Sequence, residues 1–230
     1  HAWDGVPKDK LETDRTYNPS GYMGDDANGN PMYYENQTDN YKQTHYQFLL
    51  THTFTPSLTL NAGLHYTRGK GYYEEYKTDR KLLEYGLIPF EYGNETVKKS
   101  DLVRQKWLDN HFGGGVVSLN YKKNRWDLTF GGAANRYDGD HFGKVIWVKN
   151  YIGNLSPDHT FYESNGTKTD ANVYLKATYS ITEGLTAYGD IQYRFIDYSI
   201  DGQNDTWDWI NKEIQKLDVN KNFNFFNPKA

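Results

Sequence analysis

Residues 44–68 read THYQFLLTHTFTPSLTLNAGLHYTR, with a bulky apolar side chain at nearly every second position along two arms. In the first arm Tyr46, Phe48, Leu50, His52 and Phe54 alternate with His45, Gln47, Thr51 and Thr53, and Leu49 is the exception. Pro56 and Ser57 form a turn. Leu58, Leu60, Ala62, Leu64 and Tyr66 then alternate with Thr59, Asn61, Gly63, His65 and Thr67. A period of two, held through two arms and one short turn, specifies a β-hairpin with one apolar face. The opposite face is polar yet carries few charges. Such a pair of faces suits a wall between hydrocarbon and a wet lumen.

The same unit recurs twice. Gly113, Gly115, Val117, Leu119 and Tyr121 are followed by a turn at 122–125 and then by Trp126, Leu128, Phe130 and Gly132. Val173, Leu175, Ala177, Tyr179 and Ile181 are followed by a turn at 182–184 and then by Leu185, Ala187, Gly189, Ile191, Tyr193 and Phe195. Long polar connections separate the units, at 69–100, 138–171 and 197–220, and the segment 101–112 is expected to extend its strand beyond the apolar zone. The closing NFNFFNPKA reads as the start of a further strand. Asn28-Gly29 predicts a small hairpin in the polar N-terminal region, and Asn165-Gly166 predicts a turn within the second long connection.

The pattern predicts an all-β, antiparallel transmembrane β-barrel segment with short periplasmic turns and long extracellular loops. Composition is consistent with this. Mean hydropathy is well below zero, and no apolar run approaches the roughly 20 residues of a spanning helix. Aromatics reach 17%, with 21 Tyr and 6 Trp, enough for girdles at both interfaces. Tyr121, Trp126 and Tyr179 lie near the short turns. Tyr66, Tyr72, Tyr137, Tyr193 and Tyr198 lie near the long connections. Lys176, Asp190 and Arg194 are expected on the polar face, so a slip by one residue would turn charges towards lipid. Cys is absent, which removes thiolate metal sites and disulfides. A net charge of −4 argues against nucleic acid as a partner.

Several motifs, taken in order, resemble the barrel of TonB-dependent outer-membrane receptors of the Bacteroidota type. They are AWDGVP (2–7) with RTYNP (15–19), ENQTDNYKQTHYQ (35–47), LHYTRGKGYYEEYK (64–77), DLVRQKWLDNHFGG (101–114) and NFNFFNPKA (222–230). The resemblance covers essentially all of residues 1–230. It implies about six to eight strands of a larger barrel of about 22 strands, with the plug domain lying outside this chain. The chain opens at His1 with no visible signal peptide and is expected to be a piece of a longer outer-membrane protein. The implied function is active import of a scarce nutrient, foremost a ferric siderophore, with cobalamin, haem or an oligosaccharide as other ligands. The implied partners are the TonB–ExbB–ExbD complex acting through the plug, outer-membrane lipid and lipopolysaccharide, and the small-molecule ligand. A self-contained small barrel with an adhesin or structural role, and a soluble β-sandwich, are the competing readings.

For a receptor, ligand groups are expected in the long loops and the upper lumen. The candidates are Arg68, Tyr72, Tyr73, Tyr76, Tyr85, Trp147, Tyr151, Tyr162, Trp207 and Trp209, since aromatics offer flat contacts at low entropic cost. Arg68, Lys70, Arg80 and Lys81 form a basic cluster whose plainer use is pairing with Glu74, Glu75, Asp79 and Glu84. Asp138, Asp140 and His141 sit together in a predicted loop, and Asp26, Asn28 and Asn30 have partial calcium-loop spacing. Neither group meets the requirements of a catalytic or metal site. The chain is therefore expected to have no enzymatic activity, resident cofactor or metal. His45 and His65 are placed on the polar face.

Overall fold

The computed structural model describes residues 5–17, 21–36, 39–156 and 159–230. The motifs at 2–7, 15–19 and 35–47 therefore lie partly outside the described residues. The strands are β1 (Tyr22–Asp25), β2 (Pro31–Tyr33), β3 (Asp39–Thr55), β4 (Leu58–Lys81), β5 (Phe90–Tyr92), β6 (Glu95–Val97), β7 (Lys99–Lys123), β8 (Trp126–Val148), β9 (Thr160–Thr182), β10 (Leu185–Asp208) and β11 (Glu213–Lys229). Seven of them form one antiparallel sheet in the order β11-β10-β9-β8-β7-β4-β3, while β1–β2 and β5–β6 are separate hairpins. The sheet does not close on itself. Among the described residues, β3 and β11 each pair on one side only.

Register explains why these sequences form this sheet. One row of directly opposed residues runs Leu50, Ala62, Val117, Gly132, Val173, Tyr193, Phe226 across all seven strands. The next row towards the short turns runs His52, Leu60, Leu119, Phe130, Leu175, Ile191, Pro228. Opposed residues share a face, so the apolar arms of all three units merge into one continuous apolar surface. On that face the character changes beyond the row containing Tyr46 and Tyr66. The following rows hold Thr44, Arg68, His111 and Asp138, then Lys42, Lys70, Asp109 and Asp140.

The other face is mostly polar, with Leu49, Val116, Phe112 and Phe225 among its apolar members. Thr51, Asn61, Ser118, Gly131, Tyr174 and Gln192 form one of its rows, and Lys176 stands directly opposite Asp190. Arg194, His45 and His65 share this face, as the alternation requires. The short turns are tight: Thr55 pairs with Leu58, Lys123 with Trp126 and Thr182 with Leu185. The hairpin at Asn28-Gly29 is also present, between β1 and β2.

Three expectations are corrected. The long connections are mostly strand, because β4 runs on to Lys81, β8 to Val148 and β10 to Asp208. Only residues 82–98, 149–159 and 209–212 separate the long strands. Beyond the apolar zone apolar and polar side chains no longer alternate in a sustained way, so the period of two is lost from hydropathy, but the ladder of backbone bonds continues. Asn165-Gly166 is not a turn. These residues lie inside β9, opposite Asp140 and Gly139 on one side and Asp201 and Ile200 on the other, and Asn165 Nδ2 donates to Asp138 and Asp140 at 2.9 and 2.8 Å. The aromatic ring of residues near the long connections is also incomplete. Tyr66 and Tyr193 share the apolar face, whereas Tyr137 and Tyr198 point to the polar one.

The compact core lies at the end away from the short turns. Residues 82–98 form a 3-10 turn (Leu82–Tyr85) and the β5–β6 hairpin. Gly86, at φ 65°, ends the turn in the left-handed region that glycine adopts without strain. Leu82, Tyr85, Leu87 and Phe90 from this segment pack with Leu102, Val145, Val148, Phe161 and Ile214 from the sheet. Leu82, Leu102 and Val145 have no solvent exposure.

Candidate functional site

Towards this end, the polar face holds two adjoining concavities, of about 510 Å³ and 530 Å³, that share Tyr41. Glycines shape the first. A Cβ at Gly69 would lie 1.9 Å from Tyr41 Oη, and one at Gly139 would lie 2.2 Å from Tyr137 Oη. Both tyrosines therefore lie flat across the sheet only because those positions lack side chains. Tyr137 Oη donates to Asn110 Oδ1 at 2.8 Å and sits 3.1 Å from His141 Nε2. His65 Nε2 meets Asn135 Oδ1 at 2.8 Å, and His45 Nδ1 meets Thr67 Oγ1 at 2.9 Å. The second concavity is lined by Tyr73, Lys106, Leu108, His141 and Tyr162. Burial lowers the His141 pKa, with the Asp140 charge opposing the shift.

The nine residues favoured by sequence, with Tyr162, fall in several places. Tyr72, Tyr73 and Tyr162 line the second concavity. Tyr85, Trp207 and Trp209 line a third, of about 280 Å³, at the rim. Arg68, Tyr76, Trp147 and Tyr151 line none of the three. Tyr76 is buried and its hydroxyl donates to Asp101 Oδ2 at 2.9 Å. Burial first, and then the Asp101 carboxylate, push that hydroxyl up to about 12. Tyr151 packs edge-on against Phe90, with centroids 5.2 Å apart. Trp147 stands 6.0 Å from the Tyr76 ring. Most of these residues sit on strands or in the core rather than in loops.

The basic cluster also dissolves. Arg68 and Lys70 both bridge to Asp109 on β7, the latter at 2.9 Å, and Arg68 Nη1 also donates to the carbonyls of Gly69 and Asn110. Burial alone would raise the Asp109 carboxyl, but Lys70 and Arg68 outweigh it and hold it below the ordinary carboxylate value. Lys81 Nζ lies 3.6 Å above the Trp209 ring. The acids expected as partners have other uses. Glu75, 4% exposed, accepts from Arg104 Nε at 2.7 Å and from Lys77 Nζ at 2.7 Å. Glu74, 6% exposed, accepts from Tyr34 Oη and from Gln105 Nε2 at 2.6 Å. Glu74 ties the N-terminal hairpin region to the sheet, and Glu75 neutralises a half-buried guanidinium beside the core.

Two minor clusters resolve. Asp138 and Asp140 lie on one face of β8, while His141 is on the other, so their nearness in sequence is not a convergence of side chains. The Asp26 carboxylate caps its own turn, accepting from the Asn28 and Asn30 amides at 2.8 Å each. Among the described residues no group of three or more His, Asp or Glu is placed to hold a metal. Tyr41, Asn110 and Arg104 were not singled out from sequence. Continued alternation through NYKQTHYQ was the available signal for Tyr41.

In this way an all-β antiparallel sheet, apolar across seven strands on one face and polar on the other, carries its aromatic concavities at one end. No family model matches the chain, and no curated protein is similar to it.

Proposed function

We propose that this chain is part of the wall of an outer-membrane barrel, in a TonB-dependent receptor that imports a scarce nutrient. The observation that carries the reading is the register, which joins separately encoded apolar arms into one surface bounded by charged rows. On β4 the outward positions Leu58 to Tyr66 are apolar or aromatic, a rise of about 27 Å along the strand. At a tilt of about 40° this spans about 20 Å, near the roughly 25 Å apolar band of outer-membrane barrels. Trp126 and Tyr179, with rings 4.6 Å apart, lie at the turn end, as one interfacial girdle would. Arg68, Lys70, His111 and Asp109 then stand at headgroup depth, suited to phosphate-bearing lipopolysaccharide.

In hydrocarbon, unpaired backbone groups are too costly to leave exposed. The open edges of β3 and β11 therefore call for further strands, and the receptor reading supplies them in a barrel of about 22. The polar face becomes the lumen wall, and the concavities around Tyr41, Tyr137 and Tyr162 become the upper lumen. Ligand would bind there, with TonB, ExbB and ExbD acting through the plug. The ligand favoured by the resemblance is a ferric siderophore.

Intact mass of the native polypeptide in washed outer membranes tests this. A detergent-dependent protein several times 26.8 kDa, needed for growth on a ferric siderophore under iron starvation, supports the proposal. A native mass near 26.8 kDa, or a protein soluble without detergent, overturns it. Growth on cobalamin, haem or oligosaccharide instead would keep the transport class and change the ligand.

A further inference from the structure

The rim concavity of about 280 Å³ has a composition unlike the other two. Its walls include Arg104 and Asp205, both already engaged, the first with Glu75 and the second with Lys106. Arg80 and Glu84 also line it, and among the described residues neither side chain makes a hydrogen bond or ion pair. Trp207 and Trp209 meet at 64° with centroids 6.1 Å apart. Trp209 is 52% exposed and is held from one side by the Lys81 ammonium. The buried Trp207 indole N–H has no acceptor among the described residues.

We infer that this rim pocket binds a neutral, polyhydroxylated ligand of one or two sugar rings. Two tryptophans supply flat surfaces for the C–H faces of a pyranose. One guanidinium and one carboxylate, both uncommitted, supply donors and acceptors to adjacent hydroxyls at no net charge. The lining sets Arg80 and Arg104 against Glu84 and Asp205, so it offers no net positive charge to hold an anionic ferric chelate. The space also falls below the roughly 300–1,000 Å³ of sites for drug-sized ligands. The inference rests on the receptor reading for its biological meaning, but the binding site itself stands on the rim geometry.

The test is titration of the full-length detergent-extracted protein with a panel of neutral mono- and disaccharides, by calorimetry and tryptophan fluorescence. Saturable binding is expected for at least one sugar. Trp209→Ala and Glu84→Gln should weaken it by at least about tenfold, while Trp126→Phe should leave it unchanged. Circular dichroism of each variant checks folding, and the exposure of Trp209 makes its truncation a surface change. Failure of every sugar to bind, or equal binding by parent, Trp209→Ala and Glu84→Gln, overturns the inference. Growth on a ferric siderophore without saccharide binding sinks the pocket and spares the receptor. Saccharide binding by a protein that imports nothing does the reverse.

Discussion

Arg194 on β10 and Asp170 on β9 form a two-point ion pair across the sheet, with Arg194 Nε 2.9 Å from Asp170 Oδ1 and Nη2 on Oδ2. The pair lies on the polar face. On the opposite face, the adjacent opposed residues are Phe195 and Ala171. One strand step thus separates a fixed charge pair from an apolar surface. Arg194→Leu should destabilise the sheet by about 1 kcal/mol, the scale of a partly exposed pair. The exchange Arg194→Asp with Asp170→Arg should recover most of that loss. Unfolding midpoints in detergent measure both, and equal midpoints for all three proteins would contradict a role for the pair.

The two faces should respond oppositely to the same charge. Phe130→Arg places a guanidinium in the apolar row between Leu119 and Leu175. Its expected cost is about 2–4 kcal/mol if lipid covers that face. Thr129→Arg, one residue away on the polar face, should fold into membranes nearly as well as the parent. Urea titration of the protein refolded into liposomes gives both values.

Glu75 is the acid whose loss should matter most. Removing its charge by Glu75→Gln leaves Arg104 and Lys77 without their counter-ion beside the core that holds 82–98 in place. Breaking a buried pair by removing one partner costs about 3–5 kcal/mol. Amide exchange should accelerate across 82–98 and the outer ends of β7 and β8, while the apolar-zone amides stay protected.

Low pH should loosen the sheet above the apolar zone. The Asp109 and Asp101 carboxyls are both held below the ordinary carboxylate value, because Lys70 and Arg68 in one case, and the Asp79 amide, Tyr76 and Lys149 in the other, outweigh the effect of burial. A depressed carboxylate contributes stability that is fully present above its unfolded value. That contribution disappears as pH falls through the lower folded value. Chemical denaturation should therefore show little change from pH 7 to 5 and a decline below about 4. Asp109→Asn should flatten part of that decline.

Gly139→Val should move Tyr137. The added Cβ would stand 2.2 Å from Tyr137 Oη and 2.6 Å from Asn110 Oδ1, so the Tyr137–Asn110 bond and the His141 contact must break. The expected readout is a changed environment for the His141 ring by NMR, with the sheet intact.

Residue order alone specified the three short-turn hairpins and their apolar faces, because a period of two in hydropathy survives any pairing partner. Lys176, Asp190 and Arg194 were legible as polar-face residues for the same reason, and His45 and His65 with them. Tertiary structure decided the rest. Residues 69–81, 138–148 and 197–208 show no sustained alternation of apolar and polar side chains, so nothing local distinguishes strand from loop, and the neighbouring ladders make them strand. The partner of Arg68 is Asp109, 41 residues away, rather than the nearby Glu74 or Glu75, because strand register sets which charges meet. The rim pocket likewise joins Arg80 and Glu84 to Trp207 and Trp209, residues more than 120 positions apart that only the packing of 82–98 against the sheet brings together.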